Sequence, residues 1–109
     1  MQVYFHESDL PANGQKLVGG RLIGEAQGCV KGFCMGVSYY ERDEYGTPGV
    51  HDDQEGFYVL AGTGMAKIGD AEFAIRPGSA FVAGKGVPHT MKRNADSGPI
   101  KVLWSHGAV

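Results

Sequence analysis

A chain of 109 residues with 42% hydrophobic content is long enough for one domain with its own core, expected to span residues 1–109. Its formal net charge of −2 comes with no basic stripe, Lys92-Arg93 being only a pair, so no nucleic-acid partner is expected. No apolar run approaches the roughly 20 residues of a membrane span, and residues 1–7 lack the charged and apolar regions of a signal peptide, so the expected location is cytoplasmic and away from membranes.

Glycine is the compositional outlier, at 18 residues. The glycines are dispersed between short apolar runs, which fits many short strands joined by tight turns. No segment sustains a helical period. In chain order, Val3 to Phe5 is the first expected strand. Residues 8–20, with Leu10-Pro11-Ala12-Asn13-Gly14, read as a loop. Strands are expected at 21–23 and, longer and rich in aromatic and β-branched residues, at 32–41. On the second of these Phe33, Met35, Val37 and Tyr39 share a face and read as barrel lining. Tyr39 and Tyr40 point opposite ways, and the inward ring reads as core more than pocket wall. Cys29 and Cys34 are read as packing residues, because a structural zinc site needs four ligands.

Residues 42–50 form a second expected loop, with Arg42-Asp43-Glu44 as solvated charge, and it delivers the chain to His51. A strand at 56–61 follows. Residues 64–68 pair with 71–76 through Gly69-Asp70, a hairpin signal because both residues tolerate positive φ. Strands at 79–83, 89–93 and 100–105 complete the set. Trp104 and His106 share a face of the last one. His106, near the terminus, reads as solvated or as reaching toward a partner subunit, and His6 has no clear partner. Arg76 and Arg93 read as surface arginines, and Gly62-Thr63-Gly64 as a turn. Many short strands at this spacing predict an antiparallel sandwich or barrel.

His51, Glu55 and His89 are the residues that carry chemistry. Two imidazoles and a carboxylate are the donors that hold a divalent transition ion while leaving coordination positions open. If residues 51–55 run as a strand, positions 51, 53 and 55 share a face. If 52–54 turn, His51 and Glu55 face each other across a hairpin. His89 then arrives from a later strand, its approach stiffened by Pro88.

Around these residues the spacing resembles that of a small single-domain cupin. Glu55 is followed by six residues and Gly62, and three residues separate His51 from Glu55. Gly78, Gly86 and His89 match the second motif, with fifteen residues between Gly62 and Gly78. Three positions depart: Gly49 stands where the family's first histidine stands, Gly84 where its proline stands, and Arg93 where its asparagine stands. The resemblance implies an all-β fold, an antiparallel double-stranded β-helix or jelly-roll barrel, often a homodimer, with the metal in the barrel mouth. It implies His51, Glu55 and His89 as metal ligands, leaving the vacancy at Gly49 to Asp53, Gln54 or water. A divalent transition metal (Fe, Mn, Zn or Ni) is the expected cofactor. The expected function is a small-molecule enzyme of the dioxygenase, isomerase or lyase class. The alternatives are a non-catalytic module for a small molecule or sugar, and a barrel with an unused site.

Overall fold

The computed structural model describes residues 2–107. Two short 3-10 turns, at Glu7–Asp9 and Glu25–Gln27, accompany eight strands: β1 Gly20–Ile23, β2 Cys34–Tyr40, β3 Gln54–Ala61, β4 Gly64–Ile68, β5 Ala71–Ile75, β6 Ala80–Ala83, β7 His89–Arg93 and β8 Ile100–Gly107. They form an antiparallel jelly-roll barrel of two sheets. One sheet has five strands in the order β1-β2-β8-β3-β6, and the other has three in the order β5-β4-β7. None of the described helical segments is long and apolar enough to cross a membrane.

Strand alternation sets which side chains meet inside. On β3 the odd positions Glu55, Phe57 and Val59 are buried, while Tyr58 and Leu60 are exposed. On β8 Ile100 and Val102 are fully buried, and Trp104 and His106 continue the same face toward one end of the barrel. The β3–β8 register places Val59 opposite Val102, Phe57 opposite Trp104 and Glu55 opposite His106. Ala66, Ile75 and Met91 from the smaller sheet close the core over these rows.

The Gly69-Asp70 hairpin is present, with Ile68 opposite Ala71 and Gly69 at φ 57. Most strand bounds fall within two residues of those expected. β3 starts earlier, at Gln54, so Glu55 lies within the ladder and not before it. β8 runs on to Gly107 and takes His106 into the sheet.

Four expectations are corrected. Residues 3–5 form no strand: the chain there precedes a 3-10 turn, and Val3 and Tyr4 are exposed with no strand to pair with. His6 does have a partner, since its Nδ1 accepts the Ser8 amide at 3.1 Å and so caps that turn. On β2 the pocket-lining face is the even one. Ser38 and Tyr40 line the interior cavity, and Gly36 lies directly against the Trp104 ring, whereas Phe33 is exposed. The apolar residues of β2 fall mostly on the other face, so hydrophobicity alone points the wrong way. Arg93 is likewise more than a surface charge. Its guanidinium donates to the carbonyls of Glu41 at 2.7 Å and Ser97 at 2.9 Å, tying two loops to the end of β7.

Candidate metal centre

The polar end of the barrel gathers side chains from four segments. Glu55 comes from β3, His89 opens β7, His106 lies near the end of β8, and His51 comes from the loop before β3. Backbone contacts hold this loop in place. Gly49 and His89 exchange hydrogen bonds, Gly49 N–H to His89 O at 2.9 Å and His89 N–H to Gly49 O at 3.0 Å. The Gly86 amide donates to His51 O at 2.9 Å, from a tight turn closed by Val87 N–H to Gly84 O. Gly86 sits at φ 75, a conformation that glycine adopts without strain. Gly49 and Gly86 therefore fix the two histidine segments against each other.

His51, Glu55 and His89 converge. One ligand atom from each lies within 4.8 Å of the others, the one such group of metal-type side chains among the described residues. Glu55 Oε1 stands 3.3 Å from His51 Nε2 and 3.1 Å from His89 Nε2. Glu55 and His89 are buried, and His51 is at the rim. The His51 and His89 rings lie 5.1 Å apart, and Phe57 packs beneath His89 at 5.4 Å.

The electrostatics of this cluster are unusual. Glu55 Oε1 is the only buried side-chain polar atom without a hydrogen-bond partner among the described residues. The imidazoles are near enough to be ion-paired to it, yet no N–H is aimed at it. For His89 the anchor is local. Its Nδ1 lies 3.2 Å from the carbonyl oxygen of Val87, which can only accept, so Nδ1 carries a proton and, in the neutral ring, Nε2 is left with the lone pair. Burial pushes the Glu55 carboxyl above its ordinary range, against the attraction of His106, His89 and His51, while Asp53 adds to the rise. A buried carboxylate oxygen that accepts no hydrogen bond is costly unless a cation or proton lies between it and the imidazole nitrogens. This donor set fits a divalent transition ion in chemistry and in spacing.

Beside the cluster lies a cavity of about 430 Å³, walled by Ser38, Tyr40, Thr47, Thr90 and Trp104 and floored by the cluster itself. Trp104 Nε1–H donates to Ser38 Oγ at 2.9 Å, which orients both walls. Burial, and then the Glu55 charge, push the Tyr40 hydroxyl up to about 12, so it remains a neutral donor.

His106 corrects a further expectation. It is neither solvated nor without a local partner: its side chain is only 14% exposed, its Nδ1 lies 2.8 Å from Asp53 Oδ1, and its Nε2 lies 3.3 Å from Glu55 Oε2. Linear spacing carries no sign of this, because the contact depends on the β3–β8 register. The alternation of Ile100, Val102, Trp104 and His106 on one face was the available signal. Asp53, expected as one possible filler of the vacancy left at Gly49, is engaged with His106 instead.

The family model described as cupin domain matches residues 37–106. No curated protein matches the chain. Among solved structures, the cupin domain of Schizosaccharomyces pombe Cnp3 is similar, with TM-score 0.71 and 15% identity over 90% of this chain and 65% of that one. Fe(II)-HppE with an alternative substrate has TM-score 0.68 and 20% identity over 81% of this chain and 48% of that one. A predicted oxalate decarboxylase from Thermotoga maritima has TM-score 0.70 and 14% identity over 84% of this chain and 79% of that one. At these identities the likeness is one of fold. The chain spans under two thirds of the length of the first two.

Proposed function

The chain belongs to the cupin domain family, and on that premise we propose that it holds a divalent transition ion on His51, Glu55 and His89 and acts on a small molecule there. The observation that carries this reading is the buried, unpartnered Glu55 Oε1, faced by two imidazole nitrogens at 3.1 and 3.3 Å. When bound, the ion supplies Lewis acidity or redox chemistry of the kind used by dioxygenases, isomerases and lyases.

The remaining work falls to the chain's own residues. Phe57 packs against the His89 ring at 5.4 Å and backs it with an apolar surface. Tyr40 offers a neutral hydroxyl as a donor to an anionic or carbonyl oxygen in the cavity. Thr90 and Thr47 add hydroxyls, while Trp104 gives a flat apolar wall. A volume of about 430 Å³ suits a small organic acid, a carbonyl compound or a monosaccharide. A cytoplasmic homodimer belongs to the same proposal.

One observation favours a second reading, a module that binds without turnover. Gly49 stands at the cluster with no side chain to donate, and a Cβ there would come within 3.1 Å of His89 Nε2. The two readings diverge under one experiment. Protein purified without an affinity tag is assayed for metal by elemental analysis, beside His89→Ala. It is then exposed to a panel of small acids, carbonyl compounds and sugars, with oxygen uptake and product both followed. Metal in the parent, its loss in the variant and turnover on the panel are the expected results. Thermal stabilisation by a ligand without product selects the binding module. No metal uptake by the parent, even after reconstitution, rejects the first reading, and the absence of any ligand-induced stabilisation rejects the second.

A further inference from the structure

We propose that His106 is a further nitrogen donor of this centre, serving in place of the side chain that Gly49 lacks, with Asp53 as its positioning residue. The inference rests on the metal reading above and adds a residue that lies outside both sequence motifs.

It begins with register. In the β3–β8 ladder His106 is directly opposite Glu55, and both side chains point into the barrel. Directly opposed residues on one face of an antiparallel pair have Cβ atoms roughly 4.5–5.5 Å apart. This contact is therefore built into the sheet and is not the accident of a loop. His106 Nε2 stands 3.3 Å from Glu55 Oε2, the oxygen that His51 and His89 do not face. The His51 and His106 rings meet edge-to-face at 4.6 Å.

The tautomer follows from the other ring nitrogen. His106 Nδ1 is 2.8 Å from Asp53 Oδ1, and a carboxylate oxygen accepts, so Nδ1 carries the proton. In the neutral ring Nε2 is then left with its lone pair on the side of Glu55. Metal-bound histidines are oriented in this way, by a carboxylate or carbonyl on the far nitrogen. Val87 O does the same for His89. Two imidazoles from different strands thus each have Nδ1 anchored on an oxygen acceptor and Nε2 turned to one carboxylate. The group within 4.8 Å comprises His51, Glu55 and His89 alone, so ligation by His106 needs its Nε2 to come closer to the other two imidazoles.

At Gly49 the backbone is in two-way hydrogen-bonded register with His89, and an added Cβ would crowd His89 Nε2. The vacancy there and the imidazole on β8 border the same cavity as Glu55. The competing arrangement is an imidazolium bridging Asp53 and Glu55, a structural ion pair with no role in holding metal.

Pulsed EPR on the Cu(II)-loaded protein counts coordinated imidazoles through their remote nitrogens, and calorimetric titration with Co(II) gives affinity. The parent should show three imidazoles, from His51, His89 and His106. His106→Gln should show two and bind Co(II) about tenfold to a hundredfold more weakly. Asp53→Asn, which keeps the ring but frees the tautomer, should lose about tenfold. Circular dichroism and the metal-free Tm establish that each variant is folded. The parent count decides the matter even if a variant fails to fold. Two imidazoles in the parent, or a folded His106→Gln with unchanged affinity, overturns the proposal and leaves His51, Glu55 and His89 as the metal set. No uptake of either ion by the parent overturns the metal reading as well.

Discussion

The two ends of the β3–β8 ladder are built on the same strands and meet opposite requirements. At one end Val59 faces Val102, both with no exposure, beside Ile100 and Met91. At the other Glu55 faces His106. The apolar end gains from every contact it makes, because close packing and loss of water act in the same direction. The polar end buries a carboxylate oxygen that nothing donates to. Stability alone explains the first end and argues against the second. The second is therefore the end that points to function.

The largest way to probe that contrast lies in the apolar end. Met91 is the largest fully buried side chain, and Met91→Ala should cost about 2–5 kcal/mol in denaturant unfolding. A loss no larger than that of a surface substitution would show that the apolar end is not the stabilising region. Next is the response to metal. A divalent ion at about a hundred times its Kd should stabilise the parent by about 2.7 kcal/mol, and Glu55→Gln should show no such gain in the same thermal scan. Equal gains in both proteins would place the ion elsewhere.

Between the two ends, Trp104→Phe removes the indole donor to Ser38 and should cost about 1 kcal/mol, with metal affinity retained. The smallest effect is the pH dependence of the metal-free protein. The folded carboxyl of Glu55 is raised above 4.5, so the folded state binds the proton more tightly than the unfolded chain does. Stability from this group is present below 4.5 and is lost as pH rises through the raised value. Glu55→Gln should flatten that decline and raise the metal-free Tm at neutral pH. A slope of opposite sign in the parent, removed by the same change, would contradict burial as the dominant influence on this carboxyl.

Much of this arrangement was legible in the sequence. β4 and β7 have the bounds that alternation predicts for them, and the hairpin at Gly69-Asp70 was plain, because local turn chemistry suffices there. The convergence of His51, Glu55 and His89 was legible from motif spacing. What escaped was set by partners distant in the chain. Residues 3–5 have strand-like composition but no strand beside them. The inward face of β2 is decided by Trp104 lying over Gly36, not by its own hydrophobicity. His106 sits across a ladder whose register no spacing rule supplies.

The two-way bond between Gly49 and His89, with Gly86 held on His51, has a consequence for how the socket fills. The segments carrying two of the imidazoles are lashed together before any ion arrives. Little chain freedom is left to surrender on capture, so affinity reflects the donors themselves and not the ordering of a loop. On the proposed metal reading, one ion would exchange for another at the exposed His51 side with the barrel intact.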